Sequence, residues 1–177
     1  MSTILELVEM GRLIKFDPDL EPDQQEDRYF YVAPTILPKL QKELPAYVSD
    51  WKLDQRPLDQ FEALMTDFCS GDTLYFFRTM KPLIHIQDGV WELKTPDLRL
   101  FGWFPVKDCF IMGEMGLATS VKRNNLYEAY VNMVADWRKQ LDLDEPKFIP
   151  GKDPNDVVSN YNFPQRASRR SLRVEGS

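Results

Sequence analysis

Apolar and polar positions alternate most regularly over residues 88–115, "DGVWELKTPDLRLFGWFPVKDCFIMGEM". In "VWELK", Trp91 and Leu93 oppose Glu92 and Lys94. In "LRLFGWF", Leu98, Leu100 and Phe104 point one way, and Arg99, Phe101 and Trp103 the other. A period of two predicts half-buried strands. The unbroken run "CFIMGEM" predicts a strand covered on both faces. "TPD" and "PVKD" separate the three runs with turn chemistry, because proline fixes its own φ and aspartate bonds nearby backbone. The segment reads as a three-stranded antiparallel meander.

Helical periods flank it. "PLDQFEALMTDFC" (57–69) places Leu58, Phe61, Leu64, Met65 and Phe68 on one stripe behind a proline suited to a first helical position, and "SGD" ends it. "NNLYEAYVNMVADWRKQL" (124–141) aligns Leu126, Tyr130, Val134, Trp137 and Leu141 on one face, with Asn125 and Glu128 at capping-box spacing. Residues 3–15 predict a short helix capped by Thr3 and Glu6. "RYFYVAP" (28–34) predicts a strand stopped by Pro34, and "TILPKLQKEL" (35–44) a helix carrying Pro38 in its first turn. "LYFFRTMKPLIHIQDG" is expected to be extended. The sum is an α+β fold: a small antiparallel sheet, containing the meander, packed against helices.

Composition adds bounds. At 177 residues the chain has room for one domain with extensions. Three parts follow: a helix and acidic linker (1–27), an α+β domain (28–142), and a C-terminal arm with a basic tail (143–177). No run is apolar enough to cross a bilayer, and the acidic start makes a poor export signal, so the cytoplasm is the expected location. Cys69 and Cys109 fit a reducing compartment as small buried side chains, and one histidine leaves no metal-ligand spacing; no cofactor or metal is expected. The net charge of −6 is uneven: residues 1–77 hold 7 Lys and Arg against 15 Asp and Glu, while residues 78–143 hold 9 against 8. That excludes a broad basic footprint for nucleic acid but leaves room for a compact basic cleft.

The order strand, helices, meander, helix resembles the RelE/ParE-like toxin superfamily, in particular its HigB-like branch. Over residues 88–123, "DGVWELKTPDLRLFGWF", "CFIMGEM" and "VKRNN" match the family's glycine-led strand, arginine-bearing strand, hydrophobic strand and basic pair. The resemblance implies a toxin of a toxin–antitoxin module, a ribosome-dependent mRNA endoribonuclease neutralised by an antitoxin protein. Its partners would be that antitoxin, the ribosome and mRNA. A ribose 2′-hydroxyl would attack the adjacent phosphate, a reaction needing a base, a cation for the phosphorane and a proton donor. Arg99 aligns with the meander arginine and would stabilise the phosphate with its planar fork of donors. Lys122 and Arg123 align with the basic pair. Lys94, Trp103 and Tyr127 are the further candidate substrate contacts. The family's C-terminal His or Tyr has no counterpart, so general base and acid stay unassigned.

Structural readings stand beside each role. Arg99 has Glu92 as a possible cross-hairpin partner. Lys122 and Arg123 read equally as a solvated helix end, His85 as an outward strand residue, and Trp103, Tyr127 and Tyr130 as packing. A rival to the toxin is a binding or regulatory module that kept the fold without the chemistry. A further expectation lays the acidic segment 1–27 over the basic cleft.

Overall fold

The computed structural model describes residues 1–163; the stretch 165–177, read from sequence as a basic tail, lies outside the described residues. In chain order the elements are α1 (Ile4–Glu9), β1 (Ile14–Lys15), β2 (Tyr29–Val32), α2 (Pro57–Cys69), β3 (Leu74–Tyr75), β4 (Met80–Pro82) and β5 (Val90–Lys94). After them come β6 (Leu98–Val106), β7 (Cys109–Leu117), α3 (Ala118–Arg123), α4 (Tyr127–Gln140), α5 (Pro154–Val157) and β8 (Tyr161–Asn162).

Six strands form one mixed sheet in the order β1-β2-β7-β6-β5-β4, and β3 pairs with β8 in a separate two-stranded ribbon. This enlarges and corrects the small antiparallel sheet expected from sequence. β2 runs parallel to β7, Tyr29 to Val32 lying opposite Cys109 to Met112, so the chain between them crosses from one end of the sheet to the other. β5, β6 and β7 are neighbours, each antiparallel to the next. The alternation read from "LRLFGWF" divides the two cores. Leu98, Leu100 and Phe104 join Trp91, Leu93, Phe110, Met112 and Met115 beneath α2. Phe101 and Trp103 join Val90, Ile111, Val131 and Val134 beneath α4, with Leu7 of α1.

A bulge keeps that division consistent. Phe101 pairs with Glu114 but Gly102 pairs with Met112, so Gly113 is the extra residue. Met112 and Met115, an odd number of residues apart, thereby face the same core. Gly102 sits where the strands pinch: a Cβ there would lie 2.0 Å from the Ile111 carbonyl oxygen.

Helix ends follow local chemistry. The Thr3 hydroxyl accepts the Glu6 N–H, and the Glu6 carboxylate accepts the Thr3 N–H in return. Gly11, at φ +72°, takes the chain away after α1, which is shorter than 3–15. α2 matches 57–69 in full, with Pro57 leading and the Asp59 carboxylate accepting the Arg56 N–H. The helix expected over 35–44 is present within an unbroken but irregular helical run over 34–46, in which tight 3₁₀ turns at Pro34–Ile36 and Leu44–Ala46 flank a wider π turn at Lys39–Glu43. Pro38 and Pro45 each remove a donor, which disturbs the regular α-helical ladder, while Leu37 and Leu44 before them keep helical backbone. The helix expected over 124–141 starts at Tyr127 without a side-chain cap, because Asn125 adopts φ +51° in a link from α3. The extended reading of residues 74–89 becomes two short strands with turns around them, Phe77 lying at φ +65° in the first.

Candidate functional site

Register brings five side chains to one end of the sheet on the α4 face. Lys81 pairs across to Glu92, Glu92 to Phe101, Lys94 to Arg99, and Arg99 to Gly116. Strand pleating therefore sends Lys81, Glu92, Lys94, Arg99 and Phe101 the same way. The roof is α3 and the first turn of α4. Gly116 leaves room for them: a Cβ there would lie 2.9 Å from a Val121 methyl and 3.1 Å from the Tyr130 ring. Tyr127 stands edge-on to Phe101 with ring centres 5.5 Å apart.

The charges in this corner are unbalanced. Lys94 is half-buried, and its ammonium is held below the ordinary lysine range, first by burial and then by Arg99, Lys81 and Lys122, with Glu92 opposing. Lys94 thus feels three other cations and one carboxylate, while Glu114, opposite Phe101 on the same face, is paired with Lys39. Burial pushes the Tyr127 phenol up, as does the Glu92 charge, while Arg99 pulls it down. The Tyr127 side chain therefore lies beside both Glu92 and Arg99. Glu92 is 2% exposed and its Oε2 has no hydrogen-bond partner.

Arg99 is 9% exposed. Its Nη1 donates to the carbonyls of Thr95 (2.6 Å) and Leu98 (2.8 Å), and its Nε is buried without a partner. The guanidinium is thus folded back onto the β5–β6 turn and does not project freely. Nor is it clamped by the acid across the hairpin: Glu92 sits diagonally, opposite Phe101, and forms no ion pair with it. The turn is stiff, because Gln60 from α2 donates to Asp97 (2.6 Å) and accepts from the Thr95 hydroxyl (2.9 Å) and the Asp97 N–H (3.0 Å).

The sequence candidates divide accordingly. Lys94, Arg99, Lys122 and Tyr127 come together. Arg123 is exposed on the last turn of α3 and makes no ion pair or side-chain hydrogen bond among the described residues. Trp103 is fully buried, its indole N–H donating to the Lys147 carbonyl (3.0 Å) and its ring packed edge-on to Trp137. The expected substrate contact by Trp103 is thereby corrected to core packing. His85 is exposed in the turn after β4, away from a strand. Lys81 was not identified from sequence, because its register depends on a three-residue strand hidden in an aromatic run.

Residues 1–27 do not cover this corner, contrary to expectation. Ser2 is bound just past the C-terminal end of α4, its N–H donating to the Asp142 carbonyl (2.8 Å) and its carbonyl accepting the Asp144 N–H (2.9 Å), a helix length of about 20 Å from Tyr127. β1 lies on the sheet edge opposite β4, and Glu26 pairs with Lys15 there.

Among the described residues no group of three or more His, Cys, Asp or Glu could hold a metal ion, and no helix is long and apolar enough to cross a membrane. No family model, curated protein or solved structure matches the chain.

Proposed function

We propose that this end of the sheet holds an RNA phosphodiester, and that the chain is a RelE-like toxin cleaving mRNA on the ribosome, with an antitoxin as its neutralising partner. The observation that carries the reading is the excess of positive charge at Lys94: Lys81, Arg99 and Lys122 act on it against Glu92, while Glu114 on the same face is taken up by Lys39. Like charges so placed repel one another, and a phosphate would relieve that repulsion. The order of elements from β2 to α4, with β5, β6 and β7 side by side, supports the RelE-like fold.

In this reading burial and the neighbouring cations hold the Lys94 ammonium below its ordinary range, and the Nζ, once deprotonated, takes the proton of the ribose 2′-hydroxyl. The 2′-oxygen bonds to phosphorus, and the P–O5′ bond breaks to leave a 2′,3′-cyclic phosphate. Arg99, fixed beneath, and Lys122, exposed on α3, balance the phosphorane charge. Tyr127, whose raised pKa keeps it protonated, gives its proton to the departing 5′-oxygen.

A second reading, a protein-binding module of the same fold without chemistry, is favoured by one observation: Arg99 already directs Nη1 to two backbone carbonyls. Purified protein incubated with translating ribosomes and end-labelled mRNA separates the two. Cleavage leaving cyclic phosphate ends is expected. It should fall by about 10²- to 10⁴-fold in Lys94→Met, the usual worth of a positioned base, while the melting temperature holds or rises. Intact mRNA with wild-type protein would reject the nuclease and leave the binding module.

A further inference from the structure

Beside the cationic corner lies an aromatic side chain that the mechanism leaves unused. Trp51 is 58% exposed, yet its indole N–H donates to the Pro96 carbonyl at 3.2 Å. Pro96 adjoins Thr95, whose carbonyl Arg99 grips, and is two residues from Lys94, at most roughly 7 Å of chain. The loop bearing Trp51 is fixed from several sides. The Ser49 hydroxyl accepts the N–H groups of Trp51 (3.3 Å) and Leu53 (3.2 Å), and the Asp97 carboxylate accepts the Asp50 N–H (3.1 Å). The Asp50 carboxylate accepts the Thr119 hydroxyl of α3, one turn before Lys122. An indole held by its edge at the mouth of a positively charged corner, with most of its ring in water, has little of the apolar burial that ordinarily fixes tryptophan.

We propose that Trp51 is a stacking platform for a nucleobase of the single-stranded RNA whose phosphate the corner holds. This rests on the RNA reading above and adds the part of the substrate that the cations do not contact. A flat π-face beside a phosphate-binding cluster is the arrangement that grips single strands without reading their sequence. Trp51 is then a binding residue and takes no part in proton transfer.

The test uses two uncleavable 2′-O-methyl oligomers of equal length, an oligouridine and its abasic counterpart, titrated into the full chain at low salt. Wild type is expected to bind oligouridine more tightly. Trp51→Ala should lose about 5- to 100-fold on oligouridine and nothing on the abasic strand, and Trp51→Phe should recover part of the loss. Lys94→Met should weaken both strands alike. Equal oligouridine affinity for wild type and Trp51→Ala would overturn the platform while the phosphate reading stands. So would an equal loss on both strands, which would mark the loop as mere support for the cations. Wild type binding neither oligomer would overturn the platform and the RNA reading together.

Discussion

Arg28 is the most heavily engaged side chain in the described structure, and it does not belong to the cationic corner. Only 1% exposed, it donates to the carbonyls of Phe68 (3.0 Å), Asp72 (2.9 Å), Ser159 and Asn160 (3.1 Å), and its Nε lies 3.5 Å from the Asp108 carboxylate. Asp108 in turn accepts the N–H and hydroxyl of Ser159. One guanidinium thus ties the end of α2 to the segment that forms β8. Arg28→Met should cost about 3 kcal/mol in urea unfolding, since one buried and several part-buried carbonyls and a partly buried acid lose their counterpart. A cost below about 1 kcal/mol would show that water replaces it freely. In the sequence Arg28 is only the first letter of a strand. Its role depends on residues about 40 and 130 positions away, and no local pattern announces contacts of that range. The strand face that Arg99 occupies was legible because its strand alternates. The posture of Arg99 was not, because the carbonyls it meets belong to the geometry of a turn.

At the level of elements, legibility followed side-chain periodicity. α2, β5, β6 and β7 stand where their apolar spacing put them, since each buries a continuous face. The start of α4 went astray where a left-handed asparagine outweighs that spacing, and the 35–44 helix is irregular around its prolines. The bulge between β6 and β7 was also hidden: Gly102 lies opposite Met112, and Gly113 is left without a partner. Gly102→Ala should destabilise by about 1–3 kcal/mol or more, as a methyl group would be forced against the Ile111 carbonyl. Thermal unfolding will read this directly, and an unchanged melting temperature would mean that the strands can separate there at no cost.

For the molecule as a whole, burial sets the response to alkali. Burial pushes the thiols of Cys69 and Cys109 from 9.0 to about 12, the charge of Glu26 adding to the effect at Cys69, and burial pushes the Tyr31 phenol from 10.0 to about 12. Unfolding returns all three to ordinary values. Between pH 9 and 12 the native chain therefore holds protons that the unfolded chain releases, and stability falls as pH rises. Each group contributes up to about 1.4 kcal/mol per pH unit in that window and nothing below it. Urea midpoints from pH 8 to 11 should decline, and Cys109→Ala should flatten the slope; a level profile would contradict the burial of these groups. The parallel seam between β2 and β7 bears on how the chain reaches this state. Tyr29 meets Cys109 only after every intervening residue has been synthesised, so the N-terminal strands cannot complete their sheet early. Until then Phe30 and Val32 have no β7 to cover them. The emerging polypeptide must carry that greasy ribbon unsheltered, which makes chaperone capture during translation the natural companion of this topology.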